Sequence, residues 1–264
     1  MPATDRQHSC ITLLTDFGVR DGFVGTMKGV ITGINPTARM IDLSHDIPPQ
    51  DIDAAAFVLA ASFQYFSENT IHVVVVDPSV GSDRNIILAS AGGYWFLASD
   101  NGVLTLALRQ AGRARYWRVS NREYFLPDVS RTFHGRDIFA PVAAHLSMGI
   151  PPEEIGVPVN TLIRKAYPAP RRVKNGIRGR VQYIDHFGNA ITNIEPRHLG
   201  LSVKKRRIVI GDAEIVGISQ SYAAVASGQL LAIFGSSGFL EIAVNSGSAL
   251  DILSLEVGTP VTVK

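Results

Sequence analysis

Cysteine is almost missing from this chain: its 264 residues contain one, Cys10. An intrachain disulfide is therefore impossible and a cysteine-rich metal site is excluded. No His/Cys spacing suits zinc, and HExxH does not occur. GxSxG, a Walker loop and GxGxxG are absent too, so a nucleotide ligand would need a site of another kind. No apolar run approaches the roughly 20 residues of a membrane-crossing helix. The opening MPATDRQHSC is polar and acidic where a secretory signal requires an apolar run, so the expected location is cytoplasmic. Charge of one sign is scarce as well. The net charge of +2 gives no electrostatic case for nucleic acid. The one basic run, Lys204-Lys205-Arg206-Arg207, precedes the strand-like IVI and reads as a solvated turn or strand end. Internal repeats and low-complexity tracts are absent.

What is present describes an ordinary globular protein, 46% hydrophobic and 18% charged. Its length suits two domains. Residues 11–15 (ITLLT) read as a buried strand ending on Asp16. Residues 21–34 carry apolar side chains at helical spacing, with Asp21 as a cap. A short strand at 38–43 and an alanine-rich helix at 51–63, opened by Asp51, follow. The run IHVVVV then ends on Asp77, and strands at 85–89 and 94–98 lead through Asn101-Gly102 into a helix near 103–109. Strands alternating with helices predict an α/β N-terminal domain, residues 1–167, with a mainly parallel sheet. The segment PAPRRVKNG reads as a linker. Residues 168–264 show short β-like runs broken by glycine, which predicts a smaller all-β domain, barrel or sandwich.

Parallel sheets gather ligands beyond the C-terminal ends of their strands, and Asp16 and Asp77 both belong to that edge. Two readings of Asp16, in TDFG, stay open: a cap for the next helix, or a ligand-facing carboxylate. A kinase reading of DFG fails for want of HRD and a VAIK-type lysine. Pro78 after Asp77 has no amide N–H, so the ladder stops there. Gly81 permits a tight return, which brings Arg84 back toward Asp77. As a surface salt bridge this pair would contribute about 0–1 kcal/mol; as a preset charge pair at a sheet edge it suits a site. His134, in SRTFHGRDIFAP, precedes a Gly-opened helix, near free backbone N–H groups. His45 and His145 have weaker claims. DHFGNAITN, residues 185–193, reads as a hairpin turn that places Asn189 at a strand start. FGSSGFLEIAVNS, residues 234–246, is a hairpin or a ring of backbone donors around a ligand.

DPSVGSDR, TFHGRDIFAP and DHFGNAITN, taken in this order, resemble the S-adenosyl-L-methionine (SAM) hydrolases that form adenosine, the SAM hydroxide adenosyltransferases. These are relatives of fluorinase and chlorinase. The resemblance runs from LLTDFGVRDGFVG to FGSSGFLEIAVNSGSA, nearly the whole chain. It implies a homotrimer with sites at subunit interfaces, and SAM as substrate with no cofactor and no metal. It also implies roles. Asp77, Arg84 and His134 match a catalytic set, and Asp16 matches the carboxylate that accepts the ribose hydroxyls. Asp21 and Asp185 match positions near the methionine amino group, and Ser236 one near the amino-acid part. Asn189 matches the amide that reads adenine, aided by backbone near Val244 and Ser246. Phe187 is a candidate for stacking on the base, and Glu241 lies in the same ligand-facing segment.

The halogenating relatives carry an aromatic residue at position 77, a serine at 135, and serine-arginine at 236–237. A carboxylate at 77 repels halide, whereas arginine and histidine beside it suit a polarised water. Displacement at C5′ of the sulfonium substrate releases a neutral thioether, so the missing ingredient is the nucleophile. The expected division of labour has Arg84 stabilising developing hydroxide while His134 and Asp77 orient the water and take its proton. Two alternatives differ in class: a halide adenosyltransferase, and a non-catalytic SAM or adenosine binder.

Overall fold

A computed structural model describes residues 10–199 and 206–264. Lys204 and Lys205 of the basic run, and the first nine residues, lie outside the described residues. The chain divides into two compact units, Met1–Ala166 and Tyr167–Lys264.

The first unit runs β1 (Cys10–Thr15), α1 (Phe23–Ile34), β2 (Arg39–Ser44), α2 (Ile52–Ser62), β3 (Ile71–Val75), β4 (Ile86–Ala91), β5 (Tyr94–Ser99), α3 (Thr105–Ala111) and β6 (Ala114–Val119). A π-helical turn, Gly135–Phe139, then leads into α4 (Ala140–Ser147), α5 (Pro152–Ile155) and β7 (Gly156–Val159). The sheet order is β2-β1-β3-β5-β4-β6-β7. It is parallel from β2 through β5 and antiparallel beyond. The change of sense follows from the β4–β5 hairpin, whose turn holds Gly92 and Gly93 at positive φ. All five residues of β3 are buried, as expected for a strand covered on both faces. One face packs Ile11, Leu13, Ile71 and Val73 against Met27 and Ile31 of α1, Phe139 of the π-helical turn and Val142 of α4. On the other face His72 sits among Phe63, Phe66, Tyr94 and Phe96.

Asp51 caps α2 as its sequence predicts, accepting the Ala54 N–H at 2.9 Å. The α1 start differs from expectation. Gly22 is its N-cap with no side-chain bond, so neither Asp21 nor Asp16 caps it. The helix is instead anchored by its buried face, Val24, Met27 and Ile31. Because β1, β3 and β5 are parallel, their C-terminal ends share one edge, which carries Asp16, Asp77 and Ser99.

The second unit runs β8 (Arg171–Val173), β9 (Gly176–Ile184), β10 (Ala190–Thr192), β11 (Arg207–Ile210), β12 (Ala213–Val216), β13 (Leu230–Phe234), β14 (Leu240–Val244), α6 (Ala249–Leu253) and β15 (Pro260–Val263). Among its described residues every strand pairing of this unit is antiparallel, in the order β12-β11-β15-β9-β10-β14-β13, with β8 on β9. An isolated bridge from Ser219 to Ile233 of β13 follows β12, so the sheet nearly closes on itself. Val181, Ile208, Leu240, Ile242 and Val261 fill its core. The supposed linker is only partly one: Arg171–Val173 forms a strand on β9. Its backbone groups find partners there, which outweighs the turn-like composition.

Candidate active site

β3 ends at Val75, and the Asn101 side chain holds the Val76 carbonyl at 2.9 Å. Asp77 follows with its side chain 4% exposed, and Arg84 folds back with its side chain 9% exposed. Arg84 Nε donates to Asp77 Oδ2 at 2.5 Å, and the guanidinium Nη2 contacts the same oxygen. Ser99, the last residue of β5, donates to Oδ2 at 2.7 Å, and Ser79 donates to Oδ1 at 3.1 Å. This pair is nearly out of water, so it is not the surface bridge of the bland reading; removing one member would strand a buried charge. Gly81 makes the return possible. It sits at φ +83°, and a Cβ there would come within 2.4 Å of the Arg131 carbonyl. The loop bearing Arg84 thus lies directly on the loop leading to His134.

Arg84 Nη2 donates to His134 Nδ1 at 3.0 Å. A guanidinium has no lone pair to offer, so Nδ1 is the acceptor and the neutral ring carries its proton on Nε2. Burial lowers the His134 pKa and the Arg84 charge lowers it further, against Asp77, Asp137 and a bond to the Ser130 backbone. The loop is set by Asp137, which is wholly buried. Its carboxylate accepts the Ser130 N–H at 2.8 Å and the Arg136 Nε–H at 2.5 Å. Free helix-end donors beside His134 were expected. The Arg136 and Asp137 N–H groups instead both bond to the Phe133 carbonyl at 3.1 Å. The π-helical turn is what lets the chain bend there, and such turns cluster at functional sites.

Asp16 lies at the same sheet edge. Its Oδ2 accepts the Gln50 N–H at 2.7 Å, with Gln50 in the left-handed region at φ +66°. No protein donor reaches Oδ1 among the described residues. Phe17, next to it, meets Phe23 and Phe133 with ring centroids 5.6 and 5.9 Å away. Asp21 is exposed. His145 packs edge-on against Tyr124, and His45 bonds Thr15.

In the second unit, 185–189 is the turn between β9 and β10. Asp185 Oδ1 accepts the Phe187 and Asn189 N–H groups, each at 2.9 Å, and Oδ2 accepts the Asn189 side-chain amide at 2.9 Å. Asn189 is buried, whereas Phe187 projects with 71% of its surface exposed. Ser236, in the β13–β14 turn, is also exposed. Glu241 on β14 is buried and accepts the Tyr222 hydroxyl at 2.6 Å. Burial raises its pKa; the Tyr222 bond opposes this and the Asp185 charge adds to it. Gly235 leaves the room: a Cβ there would stand 2.2 Å from Glu241 Oε2. Val244 closes β14 and Ser246 follows at φ +59°. Among the described residues no group of three or more His, Cys, Asp or Glu is placed to hold a metal ion. No helix among them is long and apolar enough to cross a membrane.

The SAM hydroxide adenosyltransferase N-terminal domain matches residues 11–156, and the C-terminal domain of the same family matches residues 179–262. The chain belongs to the SAM hydroxide adenosyltransferase family. Within this family it is 38% identical to the (R)-S-adenosyl-L-methionine hydrolase of Salinispora tropica, over 94% of this chain and 95% of that one. It is also 38% identical to the (R)-S-adenosyl-L-methionine hydrolase of Thermus thermophilus, over 95% of this chain and 98% of the other. Fluorinases match at lower identity. A crystal structure of an uncharacterized conserved protein from Thermotoga maritima superposes with a TM-score of 0.91 at 38% identity, covering 96% of this chain and 99% of the other.

The sequence reading of this adenosyltransferase-family chain overlooked Ser99, Tyr222 and Thr15, and ranked His45 low. Ser99 directly follows the strand read at 94–98, and the structure extends β5 to include it. Tyr222 and the Thr15–His45 pair carried no local signal, because their partners lie 19 and 30 residues away.

Proposed function

We propose that this chain hydrolyses S-adenosyl-L-methionine to adenosine and L-methionine, by attack of water or hydroxide on ribose C5′. The observation that carries the reading is the Asp77–Arg84–His134 cluster at the sheet edge, a buried ion pair with a half-buried histidine on it, in a chain whose close relatives are named SAM hydrolases. The sulfonium leaves as a neutral thioether, so the protein must chiefly hold and polarise one water. Asp77 Oδ1 accepts only the Ser79 hydroxyl among the described residues, which leaves acceptor capacity for that water. Arg84 supplies positive charge next to the attacking oxygen. His134 differs from the sequence expectation. Its Nδ1 is engaged by Arg84 and Nε2 carries the proton, so in this arrangement the ring orients Arg84 rather than taking a proton. Asp77 is the acceptor in this reading, and it need not be strong: the oxygen becomes acidic once its bond to C5′ forms.

Substrate contacts complete the proposal. Asp16 keeps Oδ1 clear for the ribose hydroxyls. Asp21, Asp185 and Ser236 serve the methionine part, and Glu241 belongs to the same ligand-facing segment. Asn189 and the backbone at Val244 and Ser246 read adenine, and Phe187 stacks on it. The N-terminal unit then carries the catalytic set and the C-terminal unit the adenine and methionine contacts. The chain works as a cytoplasmic homotrimer with sites at subunit interfaces.

The test is incubation with SAM in chloride buffer made with oxygen-18 water, followed by mass spectrometry. Adenosine labelled at its 5′ oxygen, together with methionine, is expected. Chlorodeoxyadenosine would move the chain to halide transfer, and no product despite adenosine binding would make it a binding protein. Asp16→Ala should weaken adenosine binding; an unchanged dissociation constant would remove it from the ribose site.

A further inference from the structure

Thr15 is wholly buried at the end of β1 and His45 is 5% exposed in the loop after β2. His45 Nδ1 lies 2.9 Å from Thr15 Oγ1, and that hydroxyl oxygen accepts the Phe17 N–H at 3.3 Å. The His45 carbonyl accepts the Gly18 N–H at 2.8 Å. Gln50, five residues on, donates to Asp16 Oδ2. The segment 45–50 therefore grips the chain on both sides of Asp16 and the carboxylate itself. His45 Nε2 in turn lies 3.0 Å from Asp42 Oδ1, at ion-pair distance although off the line of a directed hydrogen bond. Asp42 Oδ2 accepts Lys28 Nζ at 2.6 Å. A carboxylate beside Nε2 favours the proton there, which leaves Nδ1 to accept the Thr15 hydroxyl and turns the Thr15 lone pairs toward Phe17.

We infer that His45 is a positioning residue for substrate binding: by fixing the Thr15 hydroxyl it sets the direction in which Asp16 presents its free oxygen to a vicinal diol. The inference rests on the ribose reading of Asp16. Space filling alone does not require the arrangement, since two apolar side chains of the same shape would occupy it and lose only the long Phe17 N–H bond. What a directed Thr–His contact adds is orientation.

Two substitutions separate the contacts of the ring. His45→Asn keeps an acceptor where Nδ1 stood and loses Asp42. His45→Gln reaches toward Asp42 and loses Thr15. Steady-state kinetics with SAM and amide hydrogen exchange over residues 15–20 are measured for both. His45→Gln should raise KM about fivefold, the loss of roughly one hydrogen bond, with kcat unchanged and faster exchange at Phe17 and Gly18. His45→Asn should stay within about twofold of the parent in KM. Thr15→Val, which keeps the shape without the hydroxyl, should repeat the His45→Gln result if that variant does not fold. Parent-like KM and exchange in His45→Gln or Thr15→Val would overturn the inference, as would equal losses in His45→Asn and His45→Gln. Asp16→Asn distinguishes the failures. If it leaves KM unchanged, the ribose reading itself falls; if it raises KM while His45→Gln does not, only the His45 inference falls.

Discussion

Arg84 donates a guanidinium N–H to Nδ1 of His134 across 3.0 Å, on the side of the imidazole where a general base would need a free lone pair. The two side chains belong to loops 50 residues apart, and Asp77 holds Nε and the same Nη2 of that guanidinium. The histidine is thus a partner of the arginine before it is a partner of water.

Arg84→Ala and His134→Ala should both lose turnover, by about 10²–10³-fold for Arg84, as when a charge-stabilising donor is removed from a reaction site. Adenosine should still bind to both. Product formation by mass spectrometry and adenosine titration calorimetry check this. Near-parental rates in both variants would sink the assignment.

His134 should titrate below its ordinary value of about 6.5, because burial and the Arg84 charge both disfavour the imidazolium. Protonating Nδ1 would break its bond to Arg84 and set two cations side by side. Turnover should therefore persist as pH falls below 6.5 and fail only further into acid. NMR titration of the ring gives the direct reading. In Arg84→Ala the His134 pKa should rise, since one lowering charge has gone and Asp77 remains. A downward move would contradict the charge arrangement.

Gly81→Ala should disable the site while leaving the fold intact. The φ of +83° disfavours any Cβ, and the Arg131 carbonyl occupies its place. The local cost is about 1–3 kcal/mol, taken up by a shift of the Arg84 loop. Circular dichroism should match the parent's and melting should fall by roughly 2–12 °C, while kcat drops. Full activity would mean that the loop position does not matter.

Acid should destabilise the first unit through His72. Its ring is wholly buried, Nδ1 bonds Thr12 at 2.8 Å, and Nε2 has no hydrogen-bond partner among the described residues. Burial pushes its pKa down to about 4, so the neutral form is the folded one. Unfolded chains take up a proton at this side chain below about pH 6.5. Stability is fully present above that pH and falls by about 3 kcal/mol as pH drops toward 4. Urea unfolding at intervals from pH 7 to 4.5 measures the slope, and His72→Phe should flatten it. An unchanged slope in that variant would assign the acid sensitivity elsewhere.

The sequence by itself determined the local features. IHVVVV had to be a strand covered on both faces, Pro78 had to stop the ladder after Asp77, Gly81 had to make the return, and Asp51 had to cap α2. Each follows from bond geometry or hydrophobic pattern within a few residues. Tertiary structure decided the rest. The parallel pairing of β1, β3 and β5 put Asp16, Asp77 and Ser99 at one edge. Long-range pairing drew Arg171–Val173 into a sheet against its turn-like composition, and a buried α1 face made a capping Asp21 unnecessary. The contact of Arg84 with His134, which fixes the imidazole tautomer, joins side chains 50 residues apart. Short-range preferences carry no information about such a pair; the packing of the two loops through Gly81 and Arg131 does.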